Sequence, residues 1–178
     1  MKLAILGSDF ISRFYAYSLV AQRRKDVVVS VYSRNESNAK KFADDYGVPH
    51  FTTSIKECVE HPEVEAVIIG LSNDMHLEAV LASAAAGKHV LCTKPLGRNA
   101  REALQMLQAV DKAGVVGGYL EDLCYTPKFL KSLAAVKNGS IGEVIWAKSR
   151  ETHPGPHSDW FWDKEKSGGG AMIDLGCH

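Results

Sequence analysis

Lys94, Asp174 and His178 are the residues here best suited, by type and position, to acid–base chemistry at a hydroxyl. Asp174 and His178 stand four apart in SGGGAMIDLGCH, so on a helix they share one face. Imidazole titrates near neutral pH and can take the proton of a hydroxyl. A carboxylate one turn earlier can orient the ring and support its charged form. Lys94 follows the apolar run HVLC and precedes Pro95. That puts its ammonium past a strand's carboxyl end, where open α/β sheets place their ligands and where it can steady a developing oxyanion. Pro95 makes the turn rigid, and such a bond is cis about 5% of the time. Each residue also has a plainer reading. A lysine before proline is commonly a solvated loop residue, and an i,i+4 surface pair is worth roughly 0.5 kcal/mol or less.

Other positions suit phosphate and ribose. The first strand-to-helix turn reads Gly7-Ser8-Asp9-Phe10-Ile11-Ser12, in the place of the dinucleotide fingerprint G-x-G-x-x-G. Gly7 keeps the first glycine. Asp9 replaces the second and would face phosphate charge unless it turned away. Ser12 replaces the third and is small enough for close helix packing. A helix N-terminus directly after a first strand favours an anion. After the second strand comes Tyr32-Ser33-Arg34-Asn35, with no acid before Glu36. Arg34 can pair with a 2′-phosphate and Ser33 can donate to it, which tilts the choice between NAD and NADP toward NADP; a solvent-exposed arginine is the competing reading. His76 lines a nicotinamide pocket or caps the helix that follows. In HPGPHSDWFWD, at 153–163, His153, His157 and Trp160 are candidates for the substrate pocket. Aromatic faces suit sugar rings, though covering a core is an equally good use. Two prolines stiffen the loop and no helix gathers its ligands, so no metal is expected.

These groups need a scaffold. The chain has 178 residues, 46% of them hydrophobic, with 21 Lys+Arg balancing 21 Asp+Glu. A net charge of zero gives no electrostatic case for nucleic acid or an anionic membrane. No apolar run approaches the roughly 20 residues of a membrane span. Four cysteines without CxxC spacing, Cys58, Cys92, Cys124 and Cys177, argue against a disulfide framework and fit a reducing cytoplasm. The Arg23-Arg24-Lys25 cluster reads as a solvated turn.

Strand patterns at 2–6, 27–32, 64–70, 89–92 and 115–119 alternate with helix patterns at 10–22, 36–46, 77–87 and 98–113. Short connections between them predict right-handed βαβ units and a parallel sheet. Near residue 120 the rhythm changes to a helix at 127–137, a strand at 143–152, the loop, and a terminal helix.

The stretch GKHVLCTKPLGRNAREALQML, at 87–107, resembles the Gfo/Idh/MocA family of oxidoreductases. Thr93-Lys94-Pro95 matches its Glu-Lys-Pro motif except for the glutamate. LSNDMH at 71–76 resembles its Thr-Pro-Asn-x-x-His loop, with Ser72 for the proline and Asn73 and His76 kept. NGSIGEV at 138–144 and the terminal SGGGAMIDLGCH match its second-domain motifs.

The resemblance implies an α/β fold: a Rossmann-type doubly wound parallel sheet over 1–120, then the beginning of an α+β substrate domain over 121–178. It implies hydride transfer between a carbohydrate hydroxyl and NAD(P), with Lys94, Asp174 and His178 catalytic. The cofactor would meet Gly7, Asp9, Phe10, Ile11, Ser33, Arg34, Ser72, Asn73, His76, Lys94 and Pro95. It further implies a homo-oligomer in the full-length form. Two alternatives stay open: NAD-dependent glycoside cleavage by oxidation and elimination, and a non-catalytic cofactor-binding fragment. The second domain needs several antiparallel strands and the sequence offers about one, so the chain is expected to lack most of that domain and to be weakly active alone.

Overall fold

The computed structural model describes residues 1–23, 25–152 and 154–178. Strand and helix alternate through the first 120 residues. β1 (Lys2–Leu6) leads to α1 (Phe10–Ser18), β2 (Val27–Tyr32) to α2 (Glu36–Tyr46), and β3 (His50–Thr52) to α3 (Ile55–Glu60). β4 (Ala66–Ile69) leads to α4 (Asn73–Ala85), and β5 (His89–Thr93) to α5 (Ala100–Ala113) and β6 (Gly117–Leu120). Among the described residues these strands form one parallel sheet, ordered β3-β2-β1-β4-β5-β6. The chain winds outward from β1 in one direction, returns at β4 and winds in the other. The crevice between β1 and β4 is therefore the topological switch point, where this architecture takes ligands.

Side chains alternate across the sheet with the period of two that a strand imposes. Leu3 and Ile5 of β1, with Ala66 and Ile68 of β4, pack under α1 and α2 against Ala16 and Phe42. Ala4, Leu6, Val67 and Ile69 face the other way, onto Cys58, Val80 and Met106. A bulge between Leu3 and Ala4 lets Val29 and Val31 of β2 reach opposite clusters. Each fully buried Ile, Leu or Phe contributes roughly 1.5–3 kcal/mol.

Helix ends follow a pattern that matters for the site. Asn35, Ser54 and Asn99 cap α2, α3 and α5 with side-chain oxygens. The N-termini of α1 and α4 carry no side-chain cap, so their first amide groups are open to a ligand.

After β6 come α6 (Pro127–Lys137), α7 (Lys164–Ser167) and α8 (Ala171–Asp174). Two expectations are corrected here. Residues 143–152 form no strand: a strand exists through its ladder partner, no described residue pairs with this segment, and Ile145 and Trp146 are 92% and 78% exposed. The terminal helix stops at Asp174, so His178 is not one helical turn along the same face. At Gly176 the chain runs so close to Met172 that an added Cβ would lie 2.4 Å from its carbonyl oxygen.

Candidate active site

A cavity of about 440 Å³ opens over the carboxyl ends of the central strands. Its walls bring together the Gly7–Ile11 turn, Ser33 and Arg34 after β2, Ser72 and Asn73 after β4, and Lys94 after β5. From the second half of the chain, His157, Trp160, Asp174 and His178 complete it.

The turn after β1 shows why a single glycine suffices. Gly7 sits at φ +115°, and a Cβ there would come within 2.3 Å of the Gly70 carbonyl oxygen and 2.7 Å of Ser12 Oγ. Its N–H donates to Tyr32 O at 2.9 Å. Ser12, in the place of the third glycine, is buried and donates to Gly70 O at 3.2 Å, which seats α1 against the sheet. Asp9, in the second glycine's place, is exposed at the helix start and makes no cap bond. Ser8 donates to Ser33 Oγ at 2.9 Å and so joins this turn to the end of β2, next to exposed Arg34.

Two of the expected cofactor residues, His76 and Pro95, do not line this cavity. His76 is fully buried and lies off the cavity wall. Its Nδ1 lies 2.9 Å from Pro95 O and its Nε2 3.1 Å from Leu71 O, between the two loops that border the site; as a neutral ring it donates to one of these carbonyls. Burial pushes its pKa down, against the pull of the carbonyls, and favours the neutral ring. Pro95 is buried behind the same wall, and the Lys94–Pro95 peptide is cis. The His153 expectation lies outside the described residues.

The acid–base groups pair differently from the i,i+4 expectation. Lys94 Nζ donates to Asp174 Oδ1 at 2.6 Å and to Asp174 O at 2.9 Å; the side chains are 26% and 15% exposed. An ammonium has three donors, so one remains beyond these two. His178 Nδ1 lies 2.6 Å from Glu121 Oε1, with both side chains nearly buried. Glu121 was not anticipated as a partner. Its position directly after β6, at the sheet's ligand edge, was the available signal. Burial acts to raise the Glu121 carboxyl, but hydrogen bonds from His178 and from the N–H groups of Leu123 and Cys124 outweigh it and hold the group below the usual range. Tyr15 was also missed. It lines the cavity as a neutral phenol, pushed up to about 12 by burial and by the charges of Asp122 and Glu121.

The segment that carries Asp174 and His178 is fastened to the sheet domain. Asn73 Nδ2 donates to Ser167 O at 2.8 Å. Arg98 grips Glu102 with its guanidinium and also donates to Glu165 O. Gly168, at φ +87°, passes so close that a Cβ would lie 2.7–2.9 Å from Arg98 atoms. At least this glycine of the triplet serves close packing of protein on protein. His157 stacks on Phe10 of the cofactor turn, with centroids 5.5 Å apart, and Trp160 stacks on Phe161 at 3.8 Å. Among the described residues no three His, Cys, Asp or Glu side chains gather as a metal ion would require. Nor is any helix there long and apolar enough to cross a membrane.

The site fits a dinucleotide. The cavity runs from the Gly7 turn, which has no room for a side chain, past the uncapped starts of α1 and α4 to Lys94. Comparisons with known proteins agree. Residues 1–119 match the model of an oxidoreductase family with an NAD-binding Rossmann fold, and residues 129–178 match that of a GFO/IDH/MocA C-terminal domain. The 1,5-anhydro-D-fructose reductase of Ensifer adhaerens is 31% identical over 99% of this chain and 54% of its own. The trans-1,2-dihydrobenzene-1,2-diol dehydrogenase of Homo sapiens is 30% identical over 100% of this chain and 52% of its own. The structure of GenD2 from gentamicin A biosynthesis, in complex with NAD, superposes with a TM-score of 0.87 at 28% identity, over 99% of this chain and 50% of that one. The chain thus spans about half the length of the relatives it matches. Through the glycine turn, the Lys94 loop and these matches over its whole length, the chain belongs to the Gfo/Idh/MocA oxidoreductase family, with the NAD-binding Rossmann fold.

Proposed function

We propose that the protein of which this chain forms at least a part transfers a hydride between NAD(P) and the CH–OH group of a sugar, polyol or glycoside. The observation that carries this reading is the convergence of Lys94 and His178 on one cavity that also holds the Gly7 turn. Residues 1–120 would form the cofactor unit and 121–178 the opening of the substrate unit. In this reading His178 takes the hydroxyl proton through Nε2, because Nδ1 faces Glu121. Lys94, held by Asp174, directs its remaining N–H at the oxygen that becomes anionic. When bound, NAD(P) supplies the hydride acceptor. Gly7 and the open amides of α1 would hold its diphosphate, with Arg34 and Ser33 on the ribose side favouring NADP. Trp160 and His157 would face the substrate side. The names of the relatives, a reductase of an anhydrosugar and a dehydrogenase of a diol, support a polyhydroxylated substrate. We further propose a cytoplasmic homo-oligomer for the full-length form.

The test is absorbance of reduced nicotinamide with a panel of sugars, polyols and glycosides and both cofactors. Net reduction of NADP is expected. Lys94→Met should lower kcat/KM on the order of 10²–10⁴-fold. Sugar release from glycosides without net cofactor turnover would overturn the dehydrogenase reading.

A further inference from the structure

We infer that Glu121 is the positioning residue for His178: its carboxylate fixes the imidazole with the proton on Nδ1 and leaves Nε2 for the cavity. The catalytic use of that Nε2 rests on the function proposed above, whereas the fixing of the ring does not.

The geometry is restrictive. Glu121 Oε1 is 2.6 Å from His178 Nδ1, and the two side chains are 13% and 12% exposed. A carboxylate only accepts hydrogen bonds, so the facing ring nitrogen must be the donor. A neutral imidazole with its proton on Nδ1 carries its lone pair on Nε2. The carboxylate cannot simply follow the ring, because its own turn holds it. Leu123 N donates to Oε1 at 3.0 Å and Cys124 N to Oε2 at 3.2 Å. These bonds anchor Glu121 directly after β6, whereas His178 lies past the end of α8 and its Nδ1 meets the anchored carboxylate. The anchored carboxylate therefore sets the orientation of the ring. Asp174, the carboxylate nearer in sequence, is engaged through Oδ1 with Lys94. Tyr15, Tyr119 and Cys124 also feel the charge of Glu121, but the pKa of each is raised, by desolvation and by that charge, so near neutrality none is a charged acceptor for Nδ1.

Nitrogen NMR of histidine-labelled protein tests this without turnover. The wild-type chain should show His178 as the Nδ1–H tautomer. Glu121→Ala should lose that preference, and Glu121→Gln, which keeps the volume and a neutral acceptor, should keep part of it. In the active protein kcat should fall on the order of 10²-fold in Glu121→Ala, with KM and NADPH binding within about twofold, and Glu121→Gln should partly restore it. A wild-type Nε2–H tautomer, or no change of tautomer in Glu121→Ala, would overturn the inference. A tautomer that shifts as expected in a protein that turns over no sugar would uphold the positioning role and sink the dehydrogenase reading instead.

Discussion

Gly7→Ala is the substitution whose effect can be worked most directly from the structure. Alanine at φ +115° carries a conformational penalty of about 1–2 kcal/mol. Its Cβ would also lie 2.3 Å from Gly70 O and 2.7 Å from Ser12 Oγ. The first neighbour is backbone at the end of β4 and the second is a buried hydroxyl seated by its own hydrogen bond, so neither gives way cheaply. Overpacking of this kind costs about 1–3 kcal/mol. The two together come to about 3.5 kcal/mol, or roughly 10 °C in Tm for a domain of this size. Gly47→Ala is the control. Gly47 has φ +67° and nothing within 4 Å of an added Cβ, so it meets the conformational penalty alone, roughly 4 °C. Thermal unfolding by circular dichroism reads both, and a fluorescence titration with NADPH should show at least tenfold weaker binding for Gly7→Ala only. Equal Tm shifts in the two variants, or undiminished NADPH binding in Gly7→Ala, would refute the claim that close approach at Gly7 shapes the turn.

Two further predictions concern the terminal segment. Arg98→Ala leaves the buried Glu102 carboxylate without its guanidinium and removes the donor to Glu165 O. It should cost about 3 kcal/mol and speed hydrogen exchange over residues 164–178 more than in β1 or β4; uniform exchange would show that α7 does not depend on this clamp. The Glu121 carboxyl lies below the ordinary glutamate value of 4.5 in the folded chain. A group depressed by folding stabilises the fold above its unfolded value and loses that contribution as pH falls through its folded value. The His178 contact should therefore hold at neutrality and loosen below about pH 4.5, seen as lower protection at 175–178 in acid once the intrinsic pH dependence of exchange is divided out; the same pH dependence in Glu121→Gln would refute the assignment.

The Rossmann half was legible because its signals are local. VVVSVY and VEAVIIG are short runs rich in Val and Ile, and Gly47, Gly87 and Gly114 stand at the ends of the helix patterns at 36–46, 77–87 and 98–113. β3 and α3 were missed because HFT has three residues and IKECVE six, too few to show a period. Helix α4 begins at Asn73, four residues ahead of the apolar pattern at 77, because three of its first four residues, Asn73, Asp74 and His76, are polar and break the apolar period. At the site, individual residues were readable and their partners were not. Lys94, Asp174 and His178 line one cavity, but pairing Asp174 with His178 assumed one continuous helix, and the helix ends at Asp174. Glu121 lies 57 residues from His178, and only the three-dimensional path brings them together.

The fastening of α7 has a consequence for recombination. Lys94 and the segment that carries Asp174 and His178 stand on different halves of the chain, and that segment is registered against the sheet through Asn73, Arg98 and Gly168. A chimera that joins this cofactor half to a foreign second half at residue 120 would discard the far side of all three contacts, and Asp174 and His178 with them. A crossover between the halves that preserves this packing therefore has to carry residues 165–178 together with Asn73 and Arg98.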